Sequence, residues 1–564
     1  MTPDAVRRRL SALDGTEVEV VILGAGVNGA GLFRDLCLQG VRCLLVDKGD
    51  IGSGTSAAPS RLIHGGLKYL ETGEFGLVAQ STLERNLLLR NAPHCVAPLP
   101  TVIPIFSWSK GVGAALRTFL GSTTAPRSRG ALLVKIGLAL YDFYGSRHRS
   151  MPRHRLVGRA KALREMPGLT SAIVAAGTYH DAWISRPERL VHELVEDGLA
   201  AEPEASVATY TRLVSAEGGT LLFETRGGQR VAVRPQIVVN AAGPWIDQVN
   251  AALGVPSHLI GGTKGSHILL DHPELVRRLA GRMIYFEADD GRICLVFPYL
   301  GRALVGSTDI PADDPDAVRA EDEEIDYLLA SLCSLVPGLA FSRDQIAYAY
   351  SGIRPLPSSK ASVPGLISRD HSAPVTEAEP GRPFPIVSLV GGKWTTFRGF
   401  AEEVADSLLG RLGRARRIST REVAIGGGRD LPQGAEARAR WAAEVAQATG
   451  LGPGRIQELL ARYGTTARAV AGHRGDWSDA DRLPDATSYS MSEIDWIVRN
   501  ETVVHLADIV LRRTSLAIAE GLTRRDLEAV ATVATNTLGW SEDRRIEELT
   551  AASAHLLQVN RAKL

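Results

Sequence analysis

Five short segments hold residues whose chemistry and spacing set them apart. Gly24, Gly26 and Gly29 form a G-x-G-x-x-G run, a spacing that turns the backbone tightly, lets it approach a pyrophosphate and packs a helix on a strand. In SRLIHGGLKYLE, residues 60–71, His64 stands against Gly65 and Gly66, with Arg61 before and Lys68 after. Two adjacent glycines weaken a helix or a strand and suit a sharp bend or close approach to a ligand. Arg354 precedes Pro355 in SGIRPL; proline cannot continue an interior strand or helix, so Arg354 sits near an element end. That placement suits a surface salt bridge, or capture of an anion by the planar guanidinium fork. Gly391 and Gly392 precede Lys393, Thr395 and Thr396. The free amides of a helix start there suit cofactor or substrate oxygens, and a threonine suits the cap. His64 and His267 are two of thirteen histidines, the residue type that exchanges a proton near neutral pH.

These residues need elements to hold them. Residues 18–23 read as a short buried strand, AGLFRDLCLQ as a helix ending at Gly40, and residues 41–46 as a second apolar strand ending at Asp47. This is a βαβ unit, which implies a parallel sheet. The glycine run lies between strand and helix, and Asp47 lies where an acid binds ribose hydroxyls. The strand QIVVN leads into NAAGPW, residues 240–245. Small residues at a strand end suit a second backbone pass beside a cofactor, or a simple turn. A fingerprint this near the start of a long chain suits a tightly bound flavin.

Residues 78–91, 132–144 and 190–201 read as helices, and 207–225 and 231–240 as strands. Between residues 255 and 353, HILL, ICLVFPY and ALVGSTD are short strands separated by turns, the pattern of an antiparallel sheet. An acidic stretch, with eight acids and one base over residues 313–326, opens the helix EEIDYLLASLCSLV; acids suit a helix N-terminus. Beyond residue 413 the chain is rich in Ala, Arg, Glu and Leu at helical spacing.

At 564 residues and 45% hydrophobic, the chain is a globular protein of two or three domains. A net charge of +1 gives no global pull toward nucleic acid. Five scattered cysteines without a CxxC pair argue against a disulfide framework or a zinc site, so no metal is expected and a reducing cytosol fits. Arg7, Arg8 and Arg9 are not followed by an apolar stretch adequate for a signal peptide. No run of eighteen apolar residues predicts a membrane span. Residues 110–164 carry twelve Lys or Arg and one acid, Asp142, mixed with Phe119, Leu132, Ile136, Leu140 and Phe143. That mixture suits an anionic lipid surface, or a buried helix beside a solvated basic loop.

In order and spacing, VVILGAGVNGAG, SRLIHGGLKYLE, NAAGPW, TKGSHILL, FPYLGRALVGSTD, YSGIRPL and VGGKWTTFR resemble the FAD-dependent glycerol-3-phosphate dehydrogenase family of the aerobic respiratory type. That family lies within the amino-acid-oxidase-like flavoproteins. YSMSEIDWIVRNE and LRRTSLAI carry the resemblance into the C-terminal part. It implies oxidation of sn-glycerol 3-phosphate to dihydroxyacetone phosphate, with electrons passing through non-covalent FAD to a membrane quinone. It also implies a cytoplasmic protein docked on the inner membrane through an anionic lipid surface. It makes His64 and His267 the candidates for the base, and leaves the choice between them open. Arg354 and Lys393 become catalytic and phosphate-binding candidates, joined at the phosphate by Lys68 and Tyr69. FAD contacts are implied at Gly24, Gly26, Asn28, Gly29, Asp47 and Lys48. Thr55, Ser56, Ser60, Arg61, Leu62, His64, Gly65 and Gly66 follow in the next segment. Ala242, Gly243 and Trp245, then Gly392, Lys393, Thr395 and Thr396, complete the set. Lys68 stands where the family usually has arginine, Arg61 where it has lysine and Trp394 where it has leucine; Lys68 keeps the charge and loses the bidentate fork.

The expected architecture is α/β. A Rossmann-like FAD-binding domain is assembled from residues 1–105, 171–254 and 353–412. Residues 106–170 form an insertion suited to membrane docking, 255–352 an antiparallel-sheet substrate domain, and 413–564 an all-helical domain that is a candidate for a homodimer contact. A soluble oxidase of the same substrate using O2 shares these motifs. A non-catalytic flavin- or dinucleotide-binding regulator shares the fingerprint, but has no need of His64, His267, Arg354 and Lys393 beside it.

Overall fold

A computed structural model describes residues 10–70, 73–108, 131–145, 151–288, 290–312, 314–358 and 370–564. The fold is α/β and built on two sheets. In the first, β1 (Thr16–Leu23), α1 (Val27–Leu38) and β2 (Cys43–Val46) form the βαβ unit. β1 pairs in parallel with β2 on one side and with Arg230–Asn240 on the other. Ser206–Ala208 and Ile386–Ser388 extend the sheet, also in parallel. The four residues of β2 are all buried: Cys43 and Leu45 share a core with Leu32, Phe33 and Leu36 of α1, and Leu44 and Val46 share one with Leu221 and Phe223 on the other face. α1 packs on the helices Pro187–Ala201 and Phe397–Arg411. It stops with Gly40 at φ 73, the left-handed position that glycine takes without strain. The expected strand over residues 207–225 is interrupted. After Ser206–Ala208 the chain leaves the parallel sheet and forms a hairpin of Thr211–Glu217 and Thr220–Thr225, which joins the edge of Arg230–Asn240.

The second sheet has ten strands among the described residues. Thr263–Leu270 lies between Arg302–Gly306 and Ile346–Arg354, both antiparallel to it. Ile293–Tyr299 and Met283–Glu287 follow. This sheet does not stop at the expected limits of 255–352. Met283–Glu287 pairs in parallel with Val96–Ile105, which pairs with Ala175–Ile184 and so brings in Leu62–Ile63 and Arg155–Gly158. The chain therefore passes from one sheet to the other and back, and boundaries at 105 and 170 fall inside the second sheet.

The C-terminal helices run from Ala435–Thr449 to Glu542–Gln558. Their core is continuous with the antiparallel sheet: Ile497, Leu527 and Val530 share one buried cluster with Phe297, Tyr299 and Tyr350. Buried ion pairs tie the same helices to the first-sheet part of the fold, where Asp50 follows β2 and Arg189 lies in Pro187–Ala201. Arg513 grips Asp50 through two bonds of 2.7 Å, and Arg189 grips Glu501 at 2.5 and 2.9 Å. Pairing satisfies charges whose burial would otherwise be costly.

Within the basic stretch of residues 110–164, positions 110–130 and 146–150 lie outside the described residues. The helix Ala131–Tyr144 turns Val134, Leu138 and Tyr141 into a small core with Val78, Ile105 and Tyr179. Its other face carries Leu132, Ile136, Leu140 and Phe143, which are 38% to 70% exposed, near exposed Phe106 and Trp108. Among the described residues, no helix is long and apolar enough to cross a membrane.

Candidate functional site

The C-terminal ends of β1, β2 and Arg230–Asn240 open into a cavity of about 750 Å³, which reaches across to Thr263–Leu270 and Ile346–Arg354 in the second sheet. Ligands of open α/β sheets bind outside these strand ends. Gly24 has φ +112, and a Cβ there would stand 2.5 Å from the Ala241 carbonyl oxygen; only glycine lets the two turns meet. Gly26 lines the cavity at the start of α1, where the Val27 amide donates to Ser56 Oγ at 2.8 Å. Asp47 accepts 2.7 Å bonds from the amides of Ala25 and Gly49, and also lines the cavity. Burial raises its pKa against the pull of those two donors.

Asn28, Thr55, Ser56, Ser60, Leu62, Ala242 and Gly243 are in the wall. Asn28 Nδ2 donates to the Gly391 carbonyl at 3.3 Å, while its buried Oδ1 has no partner among the described residues. On the rim, Lys48 Nζ lies 4.4 Å from the centre of the Trp245 ring. Asp316 bridges the two, accepting from Lys48 at 2.8 Å and from Trp245 Nε1 at 3.0 Å.

His64, Tyr69, His267, Arg354, Lys393 and Thr395 also line the cavity. Arg354 is the last residue of its strand, as Pro355 requires. Its guanidinium donates to Asp309 at 2.8 Å, to Ser307 Oγ at 2.9 Å and to the Thr308 carbonyl. Lys393 Nζ donates to Ser81 Oγ at 3.1 Å and to the His64 carbonyl at 3.3 Å, and lies 4.5 Å from the Tyr69 ring centre. The His64 amide donates to Thr395 Oγ1 at 3.1 Å. His267 is 1% exposed, stacks on Tyr350 at 4.9 Å, and its Nε2 is 2.8 Å from Ser60 Oγ. Burial drives its pKa well below the ordinary histidine value, and the charges of Arg354 and Arg61 push the same way. Its Nδ1 is buried without a partner among the described residues.

Six residues expected at the site stand behind the wall. Gly29 serves packing: a Cβ there would lie 1.9 Å from the Gly24 carbonyl oxygen. Arg61 is turned inward, its fork on Glu188 at 2.7 and 3.0 Å. Gly65 and Gly66 give room to Tyr141 and Tyr69, whose atoms would stand 2.4 and 2.2 Å from added Cβ atoms. Thr396 is buried in the helix start, its hydroxyl on the Lys393 carbonyl. Lys68 is half-buried in the 3₁₀ turn Leu67–Leu70, outside the cavity wall. Successive side chains of such a turn point about 120° apart, so bringing Tyr69 to the wall carries Lys68 away from it.

Sequence reading missed Gly265, Thr211, Arg212, Leu213 and Asp316, which also line the cavity. Gly265 had a signal, a glycine inside a strand, which marks close approach. A Cβ there would stand 2.2 Å from Arg354 Nη2. The hairpin residues and Asp316 carried none.

Over residues 19–406 the chain matches the family described as FAD dependent oxidoreductase, and over 418–545 the C-terminal domain of alpha-glycerophosphate oxidase. It is 30% identical over 561 residues to a glycerol-3-phosphate dehydrogenase of Synechocystis, covering 95% of this chain and 96% of that one. It is 30% identical over 549 residues to glycerol-3-phosphate dehydrogenase 1 of Mycobacterium tuberculosis (94% and 97% covered). It is 32% identical over 394 residues to a D-erythritol 1-phosphate dehydrogenase of Brucella abortus (68% and 72% covered). Its fold is like that of the Bacillus halodurans glycerol-3-phosphate dehydrogenase complexed with FAD, with a TM-score of 0.74, 21% identity, and 99% and 98% of the two chains covered. The glycine turn, the helix start, Asp47 and the unpartnered Asn28 Oδ1 fit a bound dinucleotide of this kind. The chain thus belongs to the FAD-dependent oxidoreductases, within the glycerol-3-phosphate dehydrogenase family, with FAD as its cofactor.

Proposed function

We propose that the protein oxidises sn-glycerol 3-phosphate to dihydroxyacetone phosphate and passes the electrons to a membrane quinone. The observation that carries this reading is that Arg354, Lys393, His64 and Tyr69 line the same cavity as the dinucleotide turn. The names of the relatives that match nearly the whole chain support the substrate.

Oxidising a secondary alcohol needs a base for the hydroxyl proton, a fixed anchor for the phosphate and an electron acceptor beside the carbon. Bound FAD supplies the two-electron acceptor. Gly24, Gly26, Asn28, Asp47 and the α1 start would hold its phosphates and ribose, and Gly392 and Thr395, in the same cavity wall, would contact it as well. Arg354 and Lys393 anchor the substrate dianion. Asp309 and Ser307 hold the Arg354 fork in place before the phosphate arrives, and orientation paid in advance lowers the barrier. His64 takes the hydroxyl proton on its ring. A base becomes cationic, and at His267 burial and the charges of Arg354 and Arg61 oppose that. His267 stays neutral and holds the Ser60 hydroxyl through Nε2 at the cavity wall.

The exposed apolar face of Ala131–Tyr144, with Lys135 on it and Phe106 and Trp108 beside it, supports docking on an anionic lipid surface, where quinone is found. In oxygen-free buffer the reduced enzyme reduces a quinone analogue, and in air it yields little peroxide. Stoichiometric peroxide without quinone reduction makes the protein an oxidase instead. Faster turnover with erythritol phosphate than with glycerol 3-phosphate overturns the choice of substrate.

A further inference from the structure

Behind His64 and Gly65, on the side away from the cavity, three buried polar residues meet. Arg85 is 4% exposed, Asp181 1% and Tyr141 2%. The Gly65 amide donates to both Tyr141 Oη at 2.9 Å and Asp181 Oδ1 at 3.1 Å. Tyr141 donates its hydroxyl proton to Asp181 Oδ1. Arg85 Nη1 donates to Tyr141 Oη at 2.9 Å and to Asp181 Oδ1 at 3.0 Å, while its other nitrogens hold Asn86 Oδ1 at 3.2 and 3.3 Å. The phenol thus donates once and accepts twice, its full capacity. Such a network, satisfied throughout and shielded from water, is stiff.

The network takes over where a ladder ends. Leu62 and Ile63 pair with Trp183 and Ala182. Asp181 is the next residue along that partner strand, and its side chain, in place of its backbone, holds the Gly65 amide. On the cavity side Lys393 Nζ donates to the His64 carbonyl of that same peptide unit, and the His64 amide, in the unit before it, donates to Thr395 Oγ1. Gly65 is the only residue type that fits here: a Cβ would stand 2.4 Å from Tyr141 Oη and 2.5 Å from Thr82 Cγ2. The backbone of His64 is therefore clamped between the cofactor segment and the buried network.

We propose that Arg85, Asp181 and Tyr141 are positioning residues for the oxidation, acting through the Gly65 amide to fix His64 in the cavity. This rests on the reading of His64 as the base. None of the three lines the cavity, so none binds substrate or cofactor.

The test uses the FAD-loaded enzyme and stopped-flow absorbance under oxygen-free conditions, with glycerol 3-phosphate varied. Tyr141→Phe lowers the limiting rate of flavin reduction by about tenfold, because a small misplacement of a reacting group costs that much or more. FAD content stays full, and the half-saturating substrate concentration moves far less than the rate. A network that merely stabilises the fold would lower the melting midpoint and leave the rate per bound FAD unchanged; that result overturns the proposal. If Tyr141→Phe loses FAD, Arg85→Lys, which keeps the cation but not the fork, is judged on the same two numbers. Loss of FAD in both makes the network structural and overturns the proposal as well. A wild-type flavin that glycerol 3-phosphate fails to reduce instead overturns the reading of the site on which this inference rests.

Discussion

Replacing Gly265 with alanine tests whether Arg354 binds the substrate phosphate. A Cβ at position 265 would stand 2.2 Å from Arg354 Nη2, 2.6 Å from Cζ and 2.9 Å from Nη1, where ordinary contact begins near 3.4 Å. The guanidinium has to retreat by about 1.2 Å, the difference between the first and last of those distances. It is the far end of a flexible side chain, so the fold and the FAD site stay intact. Its bonds to Asp309 at 2.8 Å and Ser307 at 2.9 Å cannot survive a shift of that size. The fork is then aimed away from where a phosphate meets it. Hydrogen bonds to a charged group contribute about 1.5–3 kcal/mol. The half-saturating concentration of glycerol 3-phosphate therefore rises roughly 10- to 150-fold. The assay is oxygen-free titration of the flavin absorbance with glycerol 3-phosphate, with FAD content measured alongside. Half-saturation within about twofold of wild type, at full FAD content, would refute the assignment of Arg354 to the phosphate.

Three further outcomes are expected. Lys68→Arg leaves half-saturation within about twofold, because Lys68 stands outside the cavity wall; a large gain in affinity would place residue 68 at the phosphate. Asp50→Asn destabilises the protein by about 3–5 kcal/mol in denaturant titrations, because Arg513 loses its buried counter-ion and Arg512 keeps only Asp508. Although burial pushes the Asp50 pKa up, those arginines hold it at about 2, so its contribution is present above the ordinary carboxylate value and is lost as pH falls through the folded one; a stability unchanged by the substitution contradicts the pairing. His267 stays neutral in the folded chain, so below the ordinary histidine value of 6.5 the unfolded chain binds a proton that the folded chain does not. Stability is lost on acidification, and His267→Gln flattens that fall by up to about 2 kcal/mol between the ordinary histidine value and about pH 5; equal slopes contradict a neutral His267.

What could be read in the sequence was local. Strand, glycine run, helix and Asp47 follow one another within residues 18–47, so hydrophobic period and turn chemistry sufficed to place the dinucleotide turn. Arg354 at a strand end followed from Pro355 alone. The antiparallel pattern beyond residue 255 was legible for the same reason. Its partners were not: Val96–Ile105 joins Met283–Glu287 across a long separation in sequence, and strand pairing leaves no mark in either segment. The C-terminal helices announced themselves by period, but their apolar faces do not say what they cover. Phe297 and Tyr350 cover them. Arg61 looked like a cofactor contact beside His64, yet its charge is matched by Glu188, 127 residues away in sequence. The grip of Asp181 on Gly65 was hidden in the same way.

In the proposed reaction one cavity brings glycerol 3-phosphate, FAD and a base together. Adding glycerol 3-phosphate to the FAD-loaded protein in oxygen-free buffer tests it most directly. Rapid, complete bleaching of the flavin absorbance with one equivalent of dihydroxyacetone phosphate formed per FAD is the predicted result. A flavin that stays oxidised at saturating glycerol 3-phosphate, in protein with full FAD content, would contradict it.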